Sequence, residues 1–566
     1  MRTRIRIISV CFLLFSLLLV GKLYSVQIIH NQDFLDRADR QYQQPTDAFD
    51  RGTIYFSDKD GNLISAATLK TGFLVTINPK VMQQANDIAD AYTKISALLP
   101  SLDHDDFFTK ASKPNDTYEE VAKQVDDDVG TKIDALHLQG VSLYQEKWRY
   151  YPGGSLAAHV LGFMGYQGNT LAGRYGLESS YDSTLSRSDD GVYVNFFAQI
   201  FSNFKKTVVD GQSMEGDIVT SIEPRTQAYV ESMIKSVNAE YSSEKTGAII
   251  MDPKTGAIYA MAMYPTFDPN DFKDVTDPSV FTNDLVEGVR EMGSIIKPFT
   301  MSAGIDLGEV SASTTYDDKG FVTANGKTIY NFDKVGRGVI TLQTALSQSL
   351  NTGFAYVTSV IGDKALATYF RRFGFGEKTG IDLPNEATGL IDNLNSPRDI
   401  EYYTASFGQG IAMSPIEVIR GYSAIANQGK MVTPHVVTQI NYRLGISKAP
   451  SLPPDVQVIS PATANAVTTM MIYNVDNALL QGKASDPHYS VAAKTGTAQI
   501  AINGTYSPDK FLHSFVGYLP ARDPKFLVFI YTINPKGVAF ASETLAQPFI
   551  DLTKFLINYY QLQPDR

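Results

Sequence analysis

The stretch HSFVGYLPARDPKFLVFIYTINP, His513 to Pro535, sets two runs rich in Val, Ile, Phe and Tyr on either side of the turn signal Arg522-Asp523-Pro524. Short β-branched and aromatic runs bounded by such a turn read as antiparallel strands. Just upstream, KTGTAQIAINGTY (Lys494 to Tyr506) reads the same way, with Asn503-Gly504 as its turn. Further back, TGAIIMDPKTGAIYAMAMYP (Thr246 to Pro265) holds two more strands joined by Asp252 to Gly256. Between these lies PIEVIRGYSAIANQGK, apolar at helical spacing and stopping at Gly429, which predicts a helix with a C-terminal glycine. Strands flanked by helices without a regular βαβ alternation predict an α+β domain on an antiparallel sheet, from about Gly211 to Arg566.

Outward from that domain, the chain has 566 residues, enough for two to four cores at roughly 150 residues each. A net charge of -11 argues against nucleic-acid binding, since a phosphate backbone selects basic surfaces. Gly and Pro punctuate RYYPGGSLAAHVLGFMGYQGN and GRYGLESSYDSTL, which suggests a compact mixed region. SLDHDDFFTK and VAKQVDDDVGTKIDAL, within Ser101 to Leu136, read as solvated acidic helices.

The N-terminus pairs MRTRIR with IISVCFLLFSLLLVG, Ile7 to Gly21. Extended through Val26, with Lys22 snorkelling, the run reaches the roughly 20 residues that span a bilayer. A cleaved signal peptide is the rival reading, but no small-x-small cleavage site follows. Arg2, Arg4 and Arg6 would hold the N-terminus in the cytoplasm and send the remaining roughly 540 residues outside. The lone cysteine, Cys11, falls in that anchor, so the exported part must be held by packing alone.

Three short motifs occur in order in the second half: Ser294-Ile295-Ile296-Lys297, Ser349-Leu350-Asn351 and Lys494-Thr495-Gly496-Thr497. Each alone is weak: Ser294 could be an N-cap, Lys297 a surface charge and Lys-Thr-Gly a turn. Together they describe a nucleophile and its activation. If Ser294 opens a helix, Lys297 shares its face and its amine can reach the serine oxygen. A lysine in an apolar pocket beside a second cation, Lys494, has a lowered pKa and can be the neutral base that a histidine supplies elsewhere. Ser349 is the expected proton relay. Asn351 would bind substrate peptide, and Thr495 and Thr497 a substrate carboxylate beside Lys494. Gly496 would let a substrate lie close. The N–H groups of Ser294 and Thr497 are the expected oxyanion hole. Of seven histidines, His159 reads as structural and His513 as a candidate for the cleft lining. There is no HExxH motif and no Cys/His cluster, so neither a metal nor a cofactor is expected.

At these residues the chain resembles the class B penicillin-binding proteins, membrane-anchored D,D-transpeptidases that cross-link peptidoglycan. The likeness extends to FDRGTIYFSDKDGNLIS with Arg51 and Gly52, to WRYYPGGSLAAHVLGFMG with Arg149, to RYGLESSYDSTL with Gly176 and Glu178, and to TASFGQGIAMSPIEVIRGYSAIANQGKMVTP. Two departures, Met292 for a proline and Ile296 for an aromatic, bear on pocket shape and leave the reactive groups intact. The resemblance implies a cytoplasmic tail at 1–6, a transmembrane anchor at 7–26, an elongated mixed α/β non-catalytic pedestal at 27–210 and a transpeptidase domain at 211–566. It implies stem peptides ending in D-Ala-D-Ala as substrate, β-lactams as inhibitors, and a polytopic membrane glycosyltransferase among cell-wall synthesis partners. HSFVGYLPARDPKFLVFIYTINPKG and TASFGQG look closer to division-type than elongation-type enzymes. A D,D-carboxypeptidase or β-lactamase, and a non-catalytic scaffold or penicillin sensor, are the alternatives; the pedestal and the intact motifs speak against them.

Overall fold

The computed structural model describes residues 50–187 and 215–566, apart from positions 169, 274, 444 and 503. The expected anchor, the boundary near Gly211 and Asn503 of the hairpin turn lie outside the described residues. Among the described residues no helix is long and apolar enough to cross a membrane.

The chain divides into two compact units, the smaller including residues 69–148 and the larger residues 51–68, 149–186 and 195–566. In the larger, β1 (Ile54–Ser57) pairs antiparallel with the start of β2 (Leu63–Ile77). In the smaller, the later residues of β2 pair with β3 (Glu119–Asp126), and β4 (Val141–Tyr150) also joins β2. Helices Ile88–Leu98, His104–Ala111 and Asp127–Asp134 close this small core around Ile95, Phe107 and Ile133. Only part of the acidic segment is therefore helical. The residues VAKQVD form β3, because the backbone of β2 offers a ladder that outweighs local helix compatibility, and Val125 turns into the core.

In the larger unit, β5 (Gly216–Thr220) runs parallel to β1. Helix α1 (Pro224–Tyr241) follows, capped by the Glu223 side chain with Pro224 in its first turn. Strands β6 (Lys245–Met251) and β7 (Ile258–Tyr264) are the hairpin expected around Asp252 to Gly256. Next come a 3-10 turn, Gly293–Ile296, and helix α2 (Lys297–Asp306). Small strands β8 (Thr315–Asp318), β9 (Phe321–Ala324), β10 (Lys327–Tyr330) and β11 (Gly338–Thr341) pair as β8 with β11 and β9 with β10.

Helix α3 (Asn351–Ile361) and helix α4 (Pro415–Ala426) lie beyond. The latter begins in a capping box of Ser414 and Glu417. It ends at Ala426, and Gly429, with φ +86°, closes the turn by donating to Ala424 O at 2.7 Å. Strand β12 (Val437–Tyr442) pairs with β5, and helix α5 (Pro461–Asn477) leads to the last strands. These are β13 (Ala492–Ile502), β14 (Thr505–Leu519) and β15 (Phe526–Ile533), followed by the short helix α6 (Ala541–Thr544) and by α7 (Ala546–Tyr560).

Five strands form one antiparallel sheet in the order β13-β14-β15-β6-β7. Its strands are apolar on both faces because helices cover both. Ala248, Ile250, Val528 and Ile530 pack with Val230 and Ile234 of α1 and Phe549 and Leu552 of α7. Ile249, Met251, Leu527 and Phe529 belong to a second core with Phe299 and Met301 of α2, Ile419 of α4 and Val467 of α5. This is the expected α+β arrangement, and it leaves β13, with Lys494 to Thr497, on the sheet edge.

Candidate active site

The three motifs come together against that edge. Ser294 lies in the 3-10 turn and Lys297 at its end, where α2 begins. At three residues per turn, positions i and i+3 eclipse, so serine and lysine stack on one side. Gly293 holds φ +64°, and a Cβ there would sit 2.8 Å from Thr497 O, so only glycine lets the turn press against β13. The turn is fixed from elsewhere by two side chains and one backbone carbonyl: Tyr422 OH donates to Ile295 O at 2.5 Å, Ser514 Oγ donates to Met292 O at 2.9 Å, and Gly293 N donates to Gly408 O at 3.1 Å. Met292 and Ile296 are fully buried. These two departures therefore fill core beneath the turn and do not line the groove.

Ser349 precedes α3 with φ +56°, a left-handed conformation that costs a side-chain-bearing residue of order 1–2 kcal/mol. The bend turns both its carbonyl and its hydroxyl toward the lysines. Lys297 Nζ donates to Ser349 O at 2.6 Å and to Asn351 Oδ1 at 2.9 Å, and lies 3.2 Å from Ser349 Oγ. Lys494 Nζ lies 3.0 Å from the same Ser349 Oγ and donates to Thr495 O at 2.9 Å. One hydroxyl thus bridges two amines that are 0% and 2% exposed.

Among the described residues neither lysine has an acidic partner, so burial acts on their charge unopposed. Burial, with the Lys494 charge behind it, holds the Lys297 amine well below the usual lysine range. Burial brings Lys494 down to about 7. The rings of Phe354 and Phe407, 5.5 and 5.9 Å from Lys297 Nζ, are part of that dry surround.

The remaining expected residues divide. Thr497 O faces Gly293, and in an extended strand a residue's N–H points the same way as its C=O, so the Thr497 N–H is directed to the Ser294 side. The Ser294 N–H belongs to the group that a helical start leaves without an internal acceptor. The Thr495 hydroxyl is half-buried and makes no hydrogen bond among the described residues, whereas Thr497 Oγ1 accepts from Ala541 N at 3.1 Å.

Several expectations change. The Ser294 hydroxyl makes no hydrogen bond to Lys297; the amine points to Ser349 and Asn351 instead. The amide of Asn351, expected on substrate, is taken at both ends, with Nδ2 donating to Tyr330 O at 3.0 Å. Gly496 is required by the nucleophile turn as well, because a Cβ there would lie 2.6 Å from Met292 O and against Ser514 Oγ. His513 does not line the cleft: it is fully buried, with Nδ1 3.0 Å from Thr544 Oγ1, and burial lowers its pKa to about 4. His159 is structural as expected, its Nε2 2.8 Å from Val280 O. Sequence reading missed Tyr422, Ser514 and Tyr330. Tyr422 at least sits in a stretch the resemblance had marked.

The family described as penicillin binding protein transpeptidase domain matches residues 246–552, more than half of the chain. The chain belongs to the penicillin-binding protein transpeptidases. The penicillin-binding protein dimerisation domain matches residues 46–220. Among named penicillin-binding protein relatives, the chain is 29% identical to stage V sporulation protein D of Bacillus subtilis over 503 residues, 87% of this chain and 76% of that protein. It is 25% identical to the peptidoglycan D,D-transpeptidase FtsI of Buchnera aphidicola over 569 residues, 99% of this chain and 96% of that one. A crystal structure of penicillin-binding protein 3 from Mycobacterium tuberculosis, complexed with aztreonam, shares the fold with a TM-score of 0.70 at 23% identity, over 92% of this chain and 98% of that chain.

The pedestal motifs also meet in this penicillin-binding protein. Glu178 is 0% exposed and receives Arg51 Nε at 2.6 Å on one oxygen and Arg149 Nε at 2.6 Å on the other. Arg51 continues to Asp182 Oδ1 at 2.8 Å, and Arg149 Nη1 donates to Gly52 O at 2.7 Å.

Proposed function

We propose that this chain is a class B peptidoglycan D,D-transpeptidase that works through a Ser294 acyl-enzyme. The observation that carries the reading is the Lys297–Ser349–Lys494 cluster, two buried amines sharing one hydroxyl beside the Ser294 turn. A neutral Lys297 removes the Ser294 proton once substrate closes the gap, since catalytic contacts tighten in the complex. Ser294 Oγ then bonds to the carbonyl carbon of the penultimate D-Ala. The N–H groups of Ser294 and Thr497 take the charge on the carbonyl oxygen, an interaction whose loss typically costs about 3 kcal/mol.

The C–N bond to the terminal D-Ala breaks as Ser349 passes a proton to the leaving nitrogen. Lys494, Thr495 and Thr497 hold the terminal carboxylate until departure. The amine of a second stem attacks the ester, gives up its proton and restores Ser294. β-Lactams acylate the same oxygen because their strained amide replaces the D-Ala-D-Ala bond.

Residues 7–26 anchor the chain with its N-terminus in the cytoplasm, residues 27–210 form the pedestal and residues 211–566 the transpeptidase domain outside. A role in septal synthesis is supported by the division-like sequence features, and a polytopic glycosyltransferase is the partner that the family resemblance implies. Fluorescent penicillin should label the detergent-solubilised full chain stably, and Ser294→Ala should not label. Labelling of the variant at another residue would refute the nucleophile, and fast turnover of the adduct would favour a hydrolase. A tagged chain should gather at mid-cell; a side-wall pattern would favour elongation.

A further inference from the structure

One buried acid beside the cluster is not used by the chemistry above. Asp318, at the end of β8, is 1% exposed and makes no ion pair among the described residues. Its Oδ1 accepts from Gly320 N at 3.0 Å, Asn331 Nδ2 at 2.9 Å and Thr352 Oγ1 at 2.8 Å. Its Oδ2 accepts from Arg337 N at 3.2 Å and Asn331 Nδ2 at 3.2 Å. Asn331 Oδ1 in turn accepts from Thr352 N at 3.2 Å and lies 3.1 Å from Thr352 Oγ1. A carboxylate is costly to bury unless donors converge on it, so this one ties together the segments that supply them.

Two of those segments, at Asn331 and Thr352, adjoin Asn351 or the acceptor of its amide. Asn331 follows Tyr330, whose carbonyl takes Asn351 Nδ2 at 3.0 Å, and Thr352 follows Asn351 at the start of α3. The backbone of Asn351 and the acceptor of its amide NH2 therefore answer to the same acid. With NH2 held by Tyr330 O, the amide oxygen must face Lys297, where it accepts at 2.9 Å.

That orientation decides what Lys297 can do. A neutral amine has two hydrogens and one lone pair. The hydrogens go to Ser349 O and Asn351 Oδ1, neither of which can donate, and the lone pair is left toward hydroxyls. A flipped Asn351 amide would aim its NH2 at the amine and occupy that lone pair.

We propose that Asp318, acting through Asn331 and Thr352, is a positioning residue that keeps the Asn351 amide oxygen on Lys297 and the lysine lone pair open to the reacting hydroxyls. This rests on the reading of Lys297 as the base for Ser294. Asp318, Asn331 and Thr352 are all buried, so the device acts on the base without touching substrate.

The test is the rate constant and final stoichiometry of fluorescent penicillin acylation in the full chain, for Thr352→Val, Thr352→Ser and Asp318→Asn. Small misplacement of a reacting group commonly costs about a hundredfold. Thr352→Val should therefore acylate about tenfold to a hundredfold more slowly, yet reach full stoichiometry, and Thr352→Ser, which keeps the hydroxyl, should recover most of the rate. If Thr352→Val does not fold, Asp318→Asn decides by the same rate and stoichiometry. Wild-type rates in the folded variants would overturn the proposal, as would a reduced labelled fraction acylating at the wild-type rate, which marks a purely structural role. Ser294→Ala separates the two readings: if it still labels, the nucleophile assignment fails, and if it does not, slow or fast acylation bears on Asp318 alone.

Discussion

Two places in the larger unit bury cations almost completely, and they treat the charge in opposite ways. Around Glu178, Arg51 and Arg149 each meet a carboxylate oxygen at 2.6 Å, and Asp182 adds a second acid. Around Ser349, Lys297 and Lys494 meet only hydroxyl, carbonyl and amide oxygens. Desolvation disfavours charge at both sites. Where acids are present the buried cations are paired with them; where they are absent burial lowers the lysine pKa, which is what the proposed role of Lys297 as a base requires. Arginine suits the first because it does not deprotonate, and lysine the second because it does.

The largest effect should follow removal of the base. Lys297→Met should lower penicillin acylation by about a thousandfold or more, as loss of a general base does, while the protein stays folded. Stopped-flow labelling with a thermal melt checks both halves, and wild-type acylation would break the comparison on the catalytic side. Next, Glu178→Gln should destabilise by about 3–5 kcal/mol, because two buried guanidiniums lose their shared acid. Denaturant unfolding of the larger unit measures it, and a near-neutral result would mean that the arginines are not held by charge.

A third effect concerns pH. A lysine whose folded pKa is below its unfolded value binds fewer protons folded than unfolded between the two. Stability should therefore rise with pH from about 7, where Lys494 titrates, toward the ordinary lysine range. Lys494→Met should reduce that rise and leave the share that Lys297 contributes, and Arg149→Lys at the other cluster should not reduce it. The smallest effect is expected from Tyr422→Phe. Losing the bond to Ile295 O should cost about 1 kcal/mol in stability and slow acylation modestly by loosening the Ser294 turn.

The sequence made the reactive groups legible because this chemistry needs particular side chains in order: Ser294 with Lys297, Ser349 with Asn351, and Lys494 to Thr497 on a strand. The β6–β7 and β14–β15 hairpins were legible because apolar runs flank unambiguous turns. What stayed hidden depends on what each residue meets across the fold. Val121 to Asp126 became strand because β2 offers a ladder, which no local pattern carries. Asn351 looked free for substrate until Tyr330 O and Lys297 occupied its amide. The second reason for a glycine at 496 was hidden too: Met292 O occupies the space where its Cβ would be. His513 is paired with Thr497 across the ladder, but its ring is buried against Thr544 of α6.

The most direct measurement is an NMR titration of the Lys297 side chain in ε-labelled protein, assigned by its disappearance in Lys297→Arg. A resonance that changes from ammonium to neutral amine at a midpoint well below the usual lysine range is the expected result. An ammonium that persists to about pH 10, as for a solvent-exposed lysine, would contradict the account.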